Sequence, residues 1–299
     1  MKRLVALLLT LVLVFTLAAC QSSKTIENTT NPSVSNNSGT TTDPKPAKDT
    51  MKVAISVDPG SLNPYDRLEN VGRQLWAPVY ESLFAYGEGD LAPVPVLVDT
   101  YKFSEDQKVL TITLKKGVKF HNGAEMTAKD VLFTFEVIKN SSNKAKMGDI
   151  AWDNIKALDD YTVEIPYNSV QGLALYYLCN LYIIPEAYMT SVPKEQWATK
   201  AIGTGPYKWG DFVEGSEYNL LRFDGYREPK KLEKIVVRII PDSNVQKIEL
   251  ETGGIDLACG LQHGDVAKFA NDANDGFAVM PSNTIAMLKL VHVFPDGQG

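Results

Sequence analysis

Cysteine is scarce: three thiols in 299 residues are too few for a disulfide-built scaffold. Histidine is equally scarce. His121, His263 and His292 lie far apart, and no H-E-x-x-H or C-x-x-C spacing collects metal ligands. The G-x-S-x-G elbow and the P-loop are missing as well, so no nucleophile or phosphate cradle is announced. The run Asn271-Asp272-Ala273-Asn274-Asp275-Gly276 has Ala273 where a calcium loop needs an oxygen donor, and it reads as a polar turn. Basic charge is not in excess: 30 Lys and Arg stand against 36 Asp and Glu, for a net charge of -6. That balance argues against a nucleic-acid binder, which normally carries a basic patch. No catalytic residue, no metal site and no cofactor follow from these residues, and the chain reads as not an enzyme.

Long apolar runs are also lacking, with one short exception. Lys2 and Arg3 precede Leu4–Ala19, an apolar stretch of roughly 24 Å as a helix at ~1.5 Å per residue. A bilayer core of ~30 Å needs more. A basic head, a short apolar run and small residues before a break describe a secretory signal peptide over residues 1–19. Leu17-Ala18-Ala19-Cys20 resembles a bacterial lipobox, whose cysteine takes the lipid; palmitate or a similar acyl chain on Cys20 would anchor the protein to a membrane. Residues 21–50 are rich in Ser, Thr, Asn and Pro, and read as a flexible tether. Cys179 and Cys259 could pair outside the cytoplasm or remain two buried thiols.

From Met51 onward the pattern is globular, in keeping with 44% hydrophobic and 22% charged residues. Residues 52–57, 109–114, 161–165, 234–240 and 255–258 read as strands. Leu110, Ile112 and Leu114 should face inward, Thr111 and Thr113 outward. Val71, Leu75, Val79 and Leu83 recur at spacing four and predict a helix. Thr127 with Asp130 predicts a capping box, and Asp242 or Ser243 a second cap with Gly253-Gly254 as its stop. Mixed strands and helices indicate α/β or α+β layers. His121, in the turn Lys119-Phe120-His121-Asn122-Gly123, reads as a surface residue.

Three stretches carry a specific resemblance. They are Ser61-Leu62-Asn63-Pro64 with Tyr80-Glu81-Ser82-Leu83, then K-G-V-K-F-H-N-G-A-E-M-T-A-K-D-V at 116–131, and Gly203-Thr204-Gly205-Pro206-Tyr207 with Arg222, Tyr226 and Ile255-Asp256-Leu257 downstream. Over about residues 51–290 the chain resembles the family 5 extracellular solute-binding proteins, the peptide and nickel receptors of ABC importers. Phe223 departs from the asparagine common after Arg222.

The resemblance implies a periplasmic-binding-protein-like class II lobe with an inserted extra domain. The first lobe would be 51–83 and 184–282, the extra domain 84–183. Residues 283–299 would begin the crossing to a second lobe missing from this chain, so the sequence is expected to be a truncated fragment with impaired binding and exposed apolar surface. Ligand contacts carried over by position are Leu68, Glu69, Asn70 and Val71; Cys259, Gly260, Leu261 and Gln262; and Asn283, Thr284, Ile285 and Ala286. A peptide would be held as an added strand. The implied protein is a monomer at the outer face of a bacterial cell membrane, facing the periplasm where two membranes exist. It would deliver peptide or another small solute to a permease and its ATPase. A sensing or adhesion lipoprotein and an envelope hydrolase are the alternatives.

Overall fold

The computed structural model describes residues 49–66, 72–87, 90–271, 277–280 and 289–292. All of them fall within one compact unit, Pro44–Gly299. The strands are β1 (Thr50–Ile55), β2 (Phe84–Tyr86), β3 (Pro93–Pro95), β4 (Val98–Phe103), β5 (Val109–Leu114), β6 (Lys156–Asp159) and β7 (Thr162–Pro166). They continue with β8 (Tyr207–Val213), β9 (Glu217–Arg222), β10 (Lys234–Ile239), β11 (Leu257–Ala258), β12 (Phe277–Met280) and β13 (Lys289–His292). The helices are α1 (Gly72–Trp76), α2 (Ala128–Lys139), α3 (Ala174–Leu178), α4 (Glu186–Ser191), α5 (Trp197–Lys200), α6 (Ser243–Glu251) and α7 (His263–Asn271).

A mixed seven-stranded sheet runs β12-β13-β11-β1-β10-β9-β8. Its centre, β1, is parallel to both β10 and β11, while the outer pairs are antiparallel. The residues of β1 alternate between two cores, as a strand covered on both faces must. Val53 and Ile55 enter the large core; Ala54 enters a smaller one with Ile240, Leu250, Ile255, Ala258, Val266 and Phe269.

The middle of the chain builds a four-stranded antiparallel sheet, β4-β5-β7-β6, and the hairpin β2–β3. In β5 the expected alternation holds: Leu110, Ile112 and Leu114 are buried, and Thr111 and Thr113 only half-buried. Val163 and Ile165 of β7 join them, and this sheet shares the large core with β1. Thr127 starts α2 through a reciprocal capping box with Asp130. Asp242 caps α6 by accepting from the amides of Asn244 and Val245. Gly253, at φ +74°, ends it in the left-handed conformation glycine tolerates.

Two expectations change, and one open alternative is decided. The spacing-four pattern predicts a longer helix than exists: α1 stops at Trp76, followed by a turn through Val79. Pro78 lacks an N–H and disfavours helix at Ala77, yet Leu75, Val79 and Leu83 are all fully buried. The period therefore marks burial and not helix. The strand expected over 255–258 is only Leu257–Ala258. No disulfide joins Cys179 and Cys259, both of which are buried.

Candidate functional site

In open sheets with parallel strands, ligands meet the carboxyl ends of those strands. Here β1, β10 and β11 end side by side, and three connections leave them: residues 56–66, the turn at 240–242 into α6, and 259–262 into α7.

One buried side chain ties all three ends together. Gln246 of α6 is fully buried. Its Nε2 donates to the Ile240 carbonyl (2.6 Å) and to Ser56 Oγ (3.2 Å), and its Oε1 accepts from the Gly260 amide (3.0 Å). The junction leaves no room at Gly260, where a Cβ would stand 1.9 Å from Ser56 Oγ. Of the residues expected there, Cys259 is buried and its amide donates to the Ala54 carbonyl. Leu261 packs on the smaller core. Gln262 is exposed and its carbonyl accepts from Asp265 and Val266 at the start of α7.

The connection after β1 is equally determined. Asp58 accepts from the Gly60 amide (2.8 Å), the Tyr218 hydroxyl (2.7 Å) and the Gly215 amide, which fastens this connection to the β8–β9 turn. Burial, together with the Asp58 carboxylate, pushes the Tyr218 phenol well above its ordinary pKa. In the Ser-Leu-Asn-Pro stretch, Asp66 accepts from Ser61 Oγ (2.6 Å) and Asn63 Nδ2 (2.7 Å). Trp76 Nε1 donates to the Ser61 carbonyl and the Tyr80 hydroxyl to that of Leu62. The motif thus fixes backbone leading into the segment that contains Leu68, Glu69, Asn70 and Val71. Those four residues, with Asn283, Thr284, Ile285, Ala286 and Cys20, lie outside the described residues.

Other motif residues join distant parts of the chain. Tyr226 and Arg227 close on buried Glu81, with Arg227 bidentate at 2.6 and 2.8 Å. Gly203 and Gly205 are required by close approach: a Cβ on either would fall within 2.6 Å of the Val79 or Pro78 carbonyl oxygen. His121 is a correction. It is half-buried and clamped between two backbone groups, with Nδ1 accepting from the Gly203 amide (3.3 Å) and Nε2 donating to the Gly205 carbonyl (3.0 Å). Burial lowers its pKa to about 4, partly opposed by the hydrogen bond it donates to the Gly205 carbonyl. It crosslinks two motifs as a neutral ring, with Phe223 edge-on at 5.1 Å.

Among the described residues no group of His, Cys, Asp and Glu could hold a metal ion, and no helix is long and apolar enough to cross a membrane. An open groove of about 690 Å³ lies elsewhere, on α2, lined by Leu132, Phe133, Glu136, Trp152 and Asp153 among others. None of its lining residues comes from the parallel-strand ends, and its Lys139 is already paired with Glu136 and Asp153. The strand-end edge is therefore the stronger candidate. Sequence reasoning missed Gln246, because a polar residue inside an amphipathic helix carries no signal of burial.

Comparison with known proteins bears on the family and the fold that carry this edge. A model of bacterial extracellular solute-binding proteins, family 5, matches residues 92–292. The glutathione-binding protein GsiB of Pectobacterium atrosepticum is 29% identical over 245 residues, covering 80% of this chain and 47% of that protein. The dipeptide-binding protein of Escherichia coli is 26% identical over 238 residues, covering 71% of this chain and 44% of that protein. The structure of the ABC transporter-associated periplasmic binding protein DppA from Helicobacter pylori, in complex with the peptide STSA, aligns at TM-score 0.68 and 28% identity. That alignment covers 77% of this chain and 50% of the other. The chain spans about half the length of the curated relatives it matches.

Proposed function

The chain belongs to the bacterial extracellular solute-binding proteins of family 5, and on that premise we propose that it captures a peptide-sized solute outside the cytoplasm for an ABC importer. The observation that carries this reading is the strand-end edge. Three connections are locked by Gln246, Asp58 and Asp66, so they present a preorganised wall. Such a wall holds a ligand without transforming it. Preorganisation limits the ordering entropy lost on binding.

The same proposal places a permease and its ATPase downstream and puts the protein on a membrane through lipid at Cys20. The support for the anchor is the run Leu17-Ala18-Ala19-Cys20 behind a short apolar stretch. Calorimetry and thermal-shift measurements with a panel of di- and tripeptides test the solute. Weak but saturable binding that raises the melting temperature is expected of a chain spanning about half the length of its relatives, and hydrolysis of the peptides or indifference to all of them would refute the reading. Mass spectrometry of the membrane-fraction protein tests the anchor: a diacylglyceryl adduct on Cys20 is expected, and Cys20→Ser should release the protein from membranes.

A further inference from the structure

Among the described residues, the polar side chains nearest the parallel-strand ends are committed inward. Gln246 is spent on Ser56, Ile240 and Gly260. Asp58 serves Gly60, Gly215 and Tyr218, and Asp66 serves Ser61 and Asn63. Asp242 caps α6. Exposed polar side chains such as Glu214 and Gln262 sit in the outer turns. What the strand ends turn to solvent is apolar. Val57, directly after Ser56, is 47% exposed, and Val245, directly before Gln246, is 44% exposed. The β8–β9 hairpin brings two more, Phe212 at 36% and Val213 at 64%. Single exposed apolar residues need no explanation, but four at one edge do.

Val57 and Phe212 come to this edge from distant stretches through fixed contacts. Asp58, next to Val57, holds the Tyr218 hydroxyl at 2.7 Å and the Gly215 amide. Phe212 lies flat on Tyr218, with ring centres 5.3 Å apart and planes 8° from parallel. Tyr218 is buried and backs one face of the Phe212 ring. We propose that Val57 and Phe212 form an apolar shelf of the solute site and select, among peptide-sized solutes, those carrying an apolar side chain. The inference rests on the solute-binding reading and narrows it. A side chain laid on the shelf leaves water together with the shelf, and the shelf is already held in place, so little is lost in ordering it. The inward polar groups would each leave a partner unsatisfied if they turned out to meet a polar side chain.

The test uses the full chain and the dipeptides Ala-Leu and Ala-Ser in calorimetry. Ala-Leu should bind about tenfold more tightly, with the more negative heat-capacity change. Val57→Thr, which keeps the branched shape, and Phe212→Ser should each cut that preference to about threefold or less by weakening Ala-Leu. The ligand-free melting temperature of Val57→Thr should stay at the parent value. Equal binding of the two dipeptides by the parent overturns the inference while leaving solute binding intact. A preference that survives both substitutions overturns it as well. If the substitutions instead abolish self-association of the parent in sedimentation and keep the preference, the shelf is a contact between copies and the inference fails.

Where neither dipeptide binds, the peptide reading fails and the shelf is judged separately by the methyl NMR signals of Val57. A saturating shift with N-acetyl-leucinamide and none with N-acetyl-serinamide supports the shelf. Unmoved signals overturn it, as does an equal response to the two amides.

Discussion

The four-stranded sheet and the strand-end edge of the seven-stranded sheet are held by opposite means. In the first, alternating apolar residues on β5 and β7 meet in a dry core, and each contributes in proportion to its buried area. In the second, a few polar side chains satisfy backbone groups contributed by distant stretches: Gln246 serves Ile240, Ser56 and Gly260, and His121 serves Gly203 and Gly205. The apolar region loses stability in proportion to the volume removed from it. The polar edge loses several satisfied groups with one side chain. Bulk stability lies in the apolar sheet, and fine positioning lies at the edge where we propose that a ligand is met.

Four substitutions or titrations probe that contrast. Ile112→Ala in β5 should have the largest effect, about 3–4 kcal/mol of stability in urea unfolding, because it opens a cavity in a fully buried layer. Gln246→Ala should follow at about 2–3 kcal/mol, since it leaves a buried donor and acceptor unpaired. It should also lower ligand affinity, which Ile112→Ala should not. If Ile112→Ala weakens binding as much as Gln246→Ala does, the division between the two regions is wrong.

Acid comes third. The folded state holds His121 at about 4 against an ordinary 6.5, so between those values the unfolded chain binds a proton that the folded chain refuses. Stability should therefore fall as pH drops from 6.5 toward 4, by about 2 kcal/mol for this group. Unfolding of His121→Gln alongside the parent across that window checks it, with the variant expected to show the shallower slope. Asp242→Ala, which removes only the cap of α6, should be smallest at about 1 kcal/mol in the same unfolding assay.

The same contrast explains what could be read from the residues alone. Period-two alternation announced β5, and the Thr127–Asp130 spacing announced the start of α2, because both are local patterns with local causes. The spacing-four pattern ahead of Leu83 misled, since burial at a helical interval continued after Pro78 had ended the helix. His121 read as a surface turn because its clamp is made by Gly203 and Gly205, more than eighty positions away. Gln246 was invisible for the same reason: its importance lies in partners brought from distant stretches, and these are not written in spacing. Of the positions proposed to touch ligand, Cys259, Gly260, Leu261 and Gln262 fall at the strand-end edge, and the other eight lie outside the described residues.

The placement of β1 has a consequence in time. The Lys52 amide donates to the carboxylate of Asp256, 204 residues later, and both parallel neighbours of β1 come from the far part of the chain. A ribosome adding ~5–20 residues per second needs ~10–40 s to cover that interval. The four-stranded sheet between them has nearby partners and can form meanwhile, but the central strand of the larger sheet must wait unpaired.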